Sequence, residues 1–321
     1  MRDNPLALFL QQQGALILDG GLATLLEARG HDLSDHLWSA RLLRDAPEAI
    51  RAAHIEYLEA GADCIISASY QATIPGFMRL GLGREEAAGL LQRAVALAQE
   101  ARDSYWQYDQ SATGAAMRLR PLVAASVGPY GAYLADGSEY SGDYGLDEGA
   151  LLDFHRERWR VLAAAGPELM ACETIPSAVE ARAVARLIPE TTDMPVWVSF
   201  SCRDQAHLND GTPLAEAVAA VAGLPQVVAT GINCTAPRYI PSLIAAARTV
   251  TGKPILVYPN SGERYDVTRR VWLGQSEPAE FGQLSETWRA AGASLIGGCC
   301  RTGPEHVRAI RAHLLGAGGG N

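Results

Sequence analysis

Eight apolar runs of strand length, separated by stretches with helical periodicity, constrain the fold of this chain more than any other feature. They lie at residues 15–21, 64–72, 122–129, 169–175, 195–202, 227–235, 254–260 and 294–300. Most are continuous Val, Ile, Leu and Ala runs, a pattern typical of strands buried on both faces of a parallel sheet. Eight such strands alternating with helices predict an α/β fold, a (β/α)8 TIM-type barrel. A doubly wound sheet is the alternative, because the number of strands alone does not require closure.

A short repeat supports this alternation of helices and strands. Gly61, Gly166 and Gly292 each end a helical stretch immediately before a predicted strand. Glycine favours the left-handed conformation that commonly follows a helix, so we expect a helix C-terminus at each of these positions. Thr302 and Glu305 have the spacing of a capping box, which predicts the start of the last helix.

No linker or change in composition divides the chain, so the sequence predicts a single domain over residues 1–321, with a core of about 15–314 and a Gly-rich C-terminal tail that we expect to be frayed.

The formal charge of -9 argues against nucleic acid or an anionic membrane as the main partner. No apolar stretch is long enough to span a bilayer, and no secretory signal is recognisable. Six cysteines are too few for a disulfide framework in 321 residues, so we expect reduced thiols and a cytoplasmic location. The oligomeric state cannot be predicted.

Three cysteines stand where two predicted strands end. Cys234 follows one apolar run, and the neighbours Cys299 and Cys300 end the last run. Successive residues of an extended strand point to opposite faces, but Gly297 and Gly298 allow the backbone to kink, so that both sulfurs can turn the same way. The alternative is that the cysteines are small buried hydrophobic residues.

The chemistry of a three-thiol cluster indicates a zinc site with an open position. A structural zinc normally has a fourth protein ligand, and none of the seven histidines lies beside these cysteines in the sequence. The nearest, His306, falls on the predicted last helix, where we expect a solvated or half-buried role. Zinc with a free position could bind a further thiol and hold it as a thiolate. The sequence therefore points to alkyl transfer onto a substrate sulfur.

Two acids also stand at the ends of predicted strands. Asp19 precedes Gly20 and Gly21 after the first run, and Glu173 lies near the end of the fourth. A carboxylate inside the C-terminal end of a barrel is costly without a cationic partner, which favours a functional role over a solvated loop acid or a helix cap. Backbone amides around the two glycines could receive a carboxylate. Together these groups would hold the two ends of an amino acid.

Other polar residues near the strand ends allow several interpretations. Asn233 precedes Cys234, where it could orient the metal site, bind substrate or only form a turn. Cys202 ends another run, while Cys64 and Cys172 lie inside runs, and for these three cysteines we expect packing. The connection at residues 128–145 carries four tyrosines among glycines and acids and follows a strand, which places it on the catalytic face of a barrel. We call this connection the Tyr-rich loop.

The chain resembles the homocysteine S-methyltransferase family, specifically the branch that uses S-methylmethionine, from about Leu16 to about Leu314. The landmarks are Asp19-Gly20-Gly21-Leu22-Ala23-Thr24, Ser67-Ala68-Ser69-Tyr70-Gln71-Ala72-Thr73, Ser126-Val127-Gly128-Pro129-Tyr130, Cys172-Glu173-Thr174-Ile175-Pro176, Gly231-Ile232-Asn233-Cys234, Tyr258-Pro259-Asn260-Ser261 and Gly297-Gly298-Cys299-Cys300-Arg301-Thr302. The family is a zinc-bearing (β/α)8 barrel, which agrees with the fold that the strand pattern predicts independently.

The resemblance implies a role for each matched site residue. Cys234, Cys299 and Cys300 would be the zinc ligands. Glu173 would bind the amino group of homocysteine, and Asp19 with its following glycines would lie in the same subsite. Cys202 matches no motif of the family and takes no role.

The resemblance also implies the reaction, a methyl transfer from the sulfonium of S-methylmethionine, or of S-adenosylmethionine, to the thiol of homocysteine, giving methionine. Tyr70, Tyr130 or Tyr133 could face the cationic donor, since aromatic rings attract cations, or could only pack the loop. The alternatives are a betaine donor, a selenocysteine acceptor, the homocysteine module of cobalamin-dependent methionine synthase, and a zinc-binding protein without catalysis. In each catalytic case the partners are small molecules.

Overall fold

The computed structural model describes residues 3–33, 38–112, 118–191, 193–262, 264–266, 271–273 and 277–316. The predicted frayed tail at 317–321 lies outside these residues. The strands in this part of the chain are β1 Leu16–Ile17, β2 Cys64–Ile66, β3 Leu122–Val127, β4 Leu169–Ile175, β5 Val196–Phe200, β6 Val227–Asn233, β7 Ile255–Tyr258, β8 Arg264–Asp266, β9 Val271–Leu273 and β10 Ala293–Ile296.

Eight of these strands form one parallel sheet in the order β1-β10-β7-β6-β5-β4-β3-β2, and β8 and β9 form a separate antiparallel pair. A parallel bridge between Leu18 and Cys64 joins the two outer strands. Two backbone hydrogen bonds flank it, from Asp63 N to Ile17 O at 2.7 Å and from Asp19 N to Cys64 O at 3.2 Å. The sheet is thereby a barrel, which confirms the predicted fold and excludes the doubly wound alternative.

Helices connect the strands and cover the outside of the barrel. In chain order they are α1 Ala7–Gln13, α2 Leu22–Ala28, α3 Trp38–Asp45, α4 Pro47–Glu59, α5 Ile74–Arg79, α6 Arg84–Ala112, α7 Tyr130–Leu134, α8 Glu148–Ala164, α9 Ala178–Thr191, α10 Leu214–Ala222, α11 Ile240–Arg248, α12 Pro278–Ala291 and α13 Pro304–Leu315. Short 3-10 helices occur at Ser138–Tyr140 and Pro237–Tyr239. None of the described helices is both long enough and apolar enough to cross a bilayer.

Alternation along the strands separates two apolar layers, because successive strand residues face opposite sides of a sheet. Leu16, Ala171 and Trp197 pack with other inward residues in the barrel interior. Residues of the other parity, such as Ile17 and Val198, pack against the helices. The interior cluster also includes Leu6, which directly precedes α1, and Phe9 of α1, so the first helix covers the N-terminal end of the barrel. The opposite end of the barrel, formed by the C-terminal ends of the strands, is not covered by α1.

The eight predicted strands are all present, but most predictions run too far at the C-terminal end. The last one was predicted to reach residue 300, whereas β10 ends at Ile296. Gly61, Gly166 and Gly292 have φ angles of 107°, 74° and 115°, which confirms the predicted left-handed helix ends. The predicted cap at Thr302 is wrong. Gly303 precedes α13 instead, and Thr302 Oγ1 donates to Cys299 O at 2.7 Å.

Candidate functional site

A cavity of about 160 Å³ opens at the C-terminal ends of the barrel strands. Its wall is formed by residues at or beyond the C-terminal ends of the strands β1, β2, β4, β6, β7 and β10, and by one residue of the Tyr-rich loop. The lining residues are Asp19, Gly20, Gly21, Leu22, Ala23, Thr24, Ile66, Ser67, Ala68, Tyr70, Gln71, Tyr140, Glu173, Thr174, Cys234, Tyr258, Gly298, Cys299 and Cys300. The fold therefore brings the three predicted thiols and both predicted acids into one space.

The three thiols form a cluster at one side of this cavity. The sulfur of Cys300 lies 3.6 Å from that of Cys234 and 4.0 Å from that of Cys299, and all three sulfurs are within 4.8 Å of one another. Cys234 is buried and directly follows β6, with a φ of 48°. This left-handed conformation, unusual for a residue with a side chain, turns the chain at the end of the strand and aims the thiol at the cluster.

Cys299 and Cys300 lie in a turn beyond β10 rather than within a strand. Thr302 N donates to Cys299 O at 3.2 Å, which closes the turn and leaves the two sulfurs on the same side. The glycines before the turn are needed for close approach. A Cβ on Gly297 would lie 2.5 Å from Leu18 Cβ, and one on Gly298 would lie 2.2 Å from Thr302 Oγ1.

The donor set and its spacing fit a metal with one position left open. Tetrahedral zinc with Zn–S bonds of about 2.3 Å places its sulfur ligands about 3.8 Å apart, close to the separations in this cluster. In the described part of the chain the cluster consists of the three thiols, without a histidine or a carboxylate. The ring of His306 is occupied elsewhere, since its Nδ1 accepts from Gly303 N at 3.1 Å.

Hydrogen bonding among the three thiols favours one thiolate. Hydrogen bonds from Cys234 and then from Cys299 lower the pKa of the Cys300 thiol well below its ordinary value. Because a thiolate is the form that binds metal, the cluster needs to release only the remaining protons when a metal enters.

Glu173 occupies the deep wall of the cavity and is held by two hydroxyl groups. Ser126 Oγ donates to its Oε1, and Tyr258 Oη donates to its Oε2 at 3.0 Å. Burial raises the pKa of Glu173 to about 7, although these two hydrogen bonds act in the opposite direction. A buried carboxylate with this pKa is ready to accept an ammonium group, whose charge would stabilise the ionised form.

Asp19 lies across from Glu173 at the end of β1 and is also buried. Its Oδ2 accepts from Ile66 N at 2.8 Å, which ties the end of β1 to β2. Burial first, and then the neighbouring charge of Glu173, raise the pKa of Asp19 well above its usual range. The two predicted acids therefore line the same cavity and are close enough to influence each other's pKa, while their predicted role in binding a substrate cation stays a prediction.

Gly20 and Gly21 line the cavity, but one of their amides is already used. Gly21 N donates to Thr302 O at 2.9 Å. A Cβ on either glycine would lie within 3 Å of the Thr302 or Cys299 carbonyl oxygen, so the pair allows the end of β1 to pack against the thiol turn. The predicted role of these amides in binding a carboxylate stays a prediction.

Tyr70 and Tyr130, both predicted to bind substrate, lie in different surroundings. Tyr70 lines the cavity. Tyr130 instead packs in an aromatic group with Tyr133, Tyr144 and Phe154, at ring distances of 4.7–5.6 Å. The cavity lining does not include Tyr130, which leaves its predicted contact with substrate without structural support.

Tyr140 is the tyrosine of the Tyr-rich loop that reaches the thiols. Its Oη lies 3.8 Å from Cys234 Sγ, and the residue is 53% exposed. Two hydrogen bonds with buried side chains fix the start of this loop. Glu180 Oε1 on α9 accepts from Tyr130 N at 2.7 Å, and Arg158 on α8 donates to Gly128 O. Sequence reasoning placed Tyr140 in the loop but gave it no role, because nothing local distinguishes it from the neighbouring tyrosines.

Asn233 stands behind the cavity wall and is fully buried. It contacts Thr174 and Ser199, and the set of residues that line the cavity does not include it. Its predicted role in substrate binding therefore stays a prediction, and Asn233 makes no contact with the cavity that would support it.

Sequence reasoning missed Ser126, Tyr258 and Thr174, since hydroxyl residues in strands cannot be recognised as site residues until the neighbouring strands are known. Cys202 is buried away from the thiol cluster, as expected for packing.

Comparison with known proteins gives a consistent set of similarities. Residues 16–314 match the family model described as homocysteine S-methyltransferase. The homocysteine S-methyltransferase YbgG of Bacillus subtilis (strain 168) is 47% identical over 309 residues, covering 96% of this chain and 97% of that protein. The selenocysteine Se-methyltransferase of Brassica oleracea var. italica is 49% identical over 311 residues, covering 94% and 90%. The crystal structure of the homocysteine methyltransferase MmuM from Escherichia coli in its metallated form superposes with a TM-score of 0.84 at 45% identity, covering 96% and 99%.

Proposed function

This chain belongs to the homocysteine S-methyltransferase family and is a homocysteine S-methyltransferase, and from that premise we propose that its methyl donor is S-methylmethionine and its metal is zinc. We propose Cys234, Cys299 and Cys300 as the metal ligands, and Glu173 with Asp19 as the acceptors of the substrate ammonium group. The observation that carries the proposal is the convergence of three thiols and two buried acids on one cavity.

The three-thiol cluster supports a metal that takes part in substrate binding. The spacing fits a tetrahedral ion, and the similar MmuM of Escherichia coli has been crystallised in a metallated form. Zinc, when bound, would supply a site at which a substrate thiol stays ionised at neutral pH. The contribution of the protein is to hold the three sulfurs on one side, so that the open position faces the cavity.

The acids position the other end of homocysteine. Glu173, fixed by Ser126 and Tyr258, presents a carboxylate to the substrate ammonium, and Asp19 lies in the same subsite. Holding both ends of the amino acid directs its sulfur at one point of the cavity. Alignment of this kind can supply roughly 7–11 kcal/mol of the barrier in favourable cases.

A sulfonium donor suits this site because it needs no general acid. The lone pair of the homocysteine thiolate forms the new sulfur–carbon bond. The bond between the methyl carbon and the sulfonium sulfur breaks, and its electron pair stays on the donor sulfur, which becomes a neutral thioether. The donor leaves as neutral methionine, so S-methylmethionine and homocysteine yield two molecules of methionine. The rings of Tyr70 and Tyr140 face the cavity, where each could stabilise the sulfonium charge by roughly 0.5–2 kcal/mol.

A selenol acceptor is the second candidate, favoured by one observation. The similar Brassica protein is named a selenocysteine Se-methyltransferase and is 49% identical to this chain. Selenocysteine is one methylene shorter than homocysteine. With its amino group at Glu173, its selenium would therefore stop short of the position that the homocysteine sulfur reaches. We propose homocysteine as the preferred acceptor, and a cytoplasmic location, in which the thiols stay reduced.

The proposal is tested by methionine formation with paired substrates. Purified protein is assayed with homocysteine and, in separate reactions, S-methylmethionine, S-adenosylmethionine and betaine, each with and without a zinc chelator. We expect the highest kcat/KM with S-methylmethionine and loss of turnover with the chelator. A higher kcat/KM with S-adenosylmethionine or betaine, or full turnover at substoichiometric zinc, would contradict it.

A pair of cysteine variants separates the cluster from cysteine content in general. Cys299→Ser should lose bound zinc and turnover while the circular dichroism spectrum stays that of the wild type, because the turn lies beyond the end of β10. Cys202→Ser, which changes a buried cysteine outside the cluster, should keep its zinc. Equal zinc content in the two variants would rule out the proposed ligand set.

A further inference from the structure

The Asn233 side chain makes three hydrogen bonds to neighbouring strands, two to Thr174 on β4 and one to Ser199 on β5. Its Oδ1 accepts from Thr174 N at 2.8 Å and from Ser199 Oγ at 2.8 Å. Its Nδ2 donates to Thr174 Oγ1 at 2.7 Å. Asn233 is the last residue of β6, and Thr174 lies near the end of β4, two strands away. The side chain therefore spans β5 and joins two strand ends that have no ladder hydrogen bonds with each other.

Both ends of this connection are in an unusual backbone conformation. Thr174 has a φ of 62°, and Cys234, which follows Asn233, has a φ of 48°. A left-handed conformation is a genuine outlier for a β-branched residue such as threonine, and it persists only where the surroundings hold it. Asn233 bonds both the backbone N–H and the hydroxyl of Thr174, which are the contacts that can hold it.

A second path leads from Asn233 to the carboxylate. Ser199 Oγ, which donates to Asn233 Oδ1, is also 2.7 Å from Tyr258 Oη. Tyr258 Oη in turn donates to Glu173 Oε2. The hydroxyl oxygens of Ser199 and Tyr258 thus connect Asn233 to Glu173 in a row of close contacts in which two hydroxyl protons serve three contacts, and Thr174 provides the second connection. Cys234 directly follows Asn233 in the chain, and its backbone N–H donates to Tyr258 O at 3.1 Å.

We propose that Asn233 is a positioning residue that sets the Cys234 thiol and the Glu173 carboxylate relative to each other, so that the metal and the amino-group subsite are held at a fixed separation. This deepens the proposed function and rests on its assignment of the two sites. An asparagine is required because the position needs one oxygen that accepts twice and one nitrogen that donates. Aspartate lacks the donor and adds a buried charge, and leucine lacks both groups.

The test measures binding instead of turnover, so that it does not depend on the methyl donor. Metal affinity is measured by competition with a chromophoric chelator, and homocysteine affinity of the zinc-loaded protein by calorimetry. Asn233→Asp should weaken zinc binding by about 10–100-fold, the range seen when a group that orients a metal ligand is removed. We expect homocysteine binding to weaken by about tenfold or more as well.

Thr230→Val is the matched control. Thr230 lies on the same strand, is equally buried, and donates a single hydrogen bond to Val198 O at 3.0 Å. Its loss should cost stability comparable to other buried hydrogen bonds and leave both affinities within twofold of the wild type. A general loosening of β6 would instead lower the affinities of both variants alike.

If Asn233→Asp does not fold, two further variants test the proposal with the same affinity measurements. Thr174→Val removes the hydroxyl that Asn233 Nδ2 contacts and should weaken both affinities. Ser199→Ala cuts the path to Tyr258 and should weaken homocysteine binding more than zinc binding. If all variants that fold match Thr230→Val within twofold, the proposal is wrong. If the wild type binds zinc and homocysteine but transfers no methyl group, the donor assignment fails and the role of Asn233 is still decided.

Discussion

Backbone strain at single residues is concentrated around the thiols and acids. Four non-glycine residues of the described chain have positive φ, and three of them are Thr174, Cys234 and Arg301. Each directly follows Glu173, Asn233 or Cys300. Such conformations cost of order 1–3 kcal/mol each. Their presence near the end of β4, directly after β6 and in the thiol turn indicates that side-chain direction at the site takes precedence over local stability.

Glu173 should couple substrate binding and stability to pH in opposite directions. Its pKa of about 7 in the folded protein means that the carboxylate becomes ionised between pH 6 and 8. Because the ionised form accepts the substrate ammonium, homocysteine affinity should rise with pH over this interval. Glu173→Gln should lose at least tenfold in homocysteine affinity and show a shallower rise with pH than the wild type between pH 6 and 8, as measured by calorimetry, because the proton released by the metal-bound thiol still makes the affinity depend on pH.

The same residue should lower the free energy of unfolding at high pH. The folded pKa lies above the ordinary value of 4.5, so the folded protein holds the proton more tightly than the unfolded chain. This contribution is complete below pH 4.5 and is lost as the pH rises through 7, a change of about 3 kcal/mol. Metal-free Glu173→Gln should therefore be more stable than the wild type at pH 8 and more nearly equal to it at pH 5.5 in urea unfolding. A less stable variant at pH 8 would contradict the assigned burial cost.

Sequence reasoning at this scale found the residues whose chemistry is unusual for their position. Cysteines and acids at the ends of apolar runs are conspicuous, and the cavity does contain Asp19, Glu173 and all three cluster thiols. Tyr130 and Tyr140 could not be distinguished, because their difference depends on how the Tyr-rich loop folds back. Asn233 could be placed beside Cys234, but its partners come from two other strands.

At the level of the elements, function begins where the strand ladders stop. The predicted strands were too long because the apolar pattern continues past the last ladder bond into the site. At the last strand this extension includes Gly297 and Gly298, whose missing side chains leave room for Leu18 and Thr302. The glycine pair was expected to let the backbone kink before the two cysteines. Neither glycine has a positive φ, and what the structure shows at these positions is close approach of neighbouring residues.

Gly298→Ala should therefore displace the thiol turn. The new Cβ would meet Thr302, which is buried and already bonded to Cys299 O, so the turn must move instead. We expect zinc affinity to fall by at least tenfold and stability by about 1–3 kcal/mol, the usual cost of overpacking. Zinc competition and thermal unfolding measure the two effects.

Gly223→Ala is the control for this substitution. Gly223 ends α10 with ordinary right-handed angles, and a Cβ there would meet nothing within 4 Å. We expect unchanged zinc affinity and a stability gain of up to about 1 kcal/mol, since alanine restricts the unfolded chain. Similar zinc affinities for the two alanine variants would disprove the packing argument.

The residues proposed to act in catalysis lie at the C-terminal end of the barrel, whereas ion pairs that stabilise the fold lie at its N-terminal end. Below the strands, the buried Asp63 accepts from Arg118 at 3.1 Å, from Arg311 at 2.9 Å and from Ile17 N at 3.0 Å. These contacts join α13 to the point where β1 and β2 close the sheet. The eight alternating units predicted a barrel without requiring closure by themselves. Of the two ion pairs beside the closure, Asp63–Arg118 joins residues 55 positions apart and Asp63–Arg311 joins residues 248 positions apart.

Two arginines on α13 allow this separation to be measured. Arg311→Ala leaves the buried Asp63 with one fewer cation and should lower the free energy of unfolding by about 3 kcal/mol. Arg308→Ala removes an exposed pair with Glu305 and should cost no more than about 0.5 kcal/mol. Turnover per folded molecule should be unchanged in both. A loss of kcat in Arg311→Ala at full folding would show that the two ends are coupled.

The central claim is that three thiols hold a metal whose remaining position receives the substrate sulfur, and X-ray absorption at the zinc edge tests it most directly. Zinc-loaded protein is measured alone and after saturation with selenohomocysteine, whose selenium is a distinct neighbour. We predict three sulfur neighbours at about 2.3 Å in both samples, with one selenium neighbour added in the second. A nitrogen ligand that persists in both samples, or a spectrum that saturating selenohomocysteine leaves unchanged, would contradict the account.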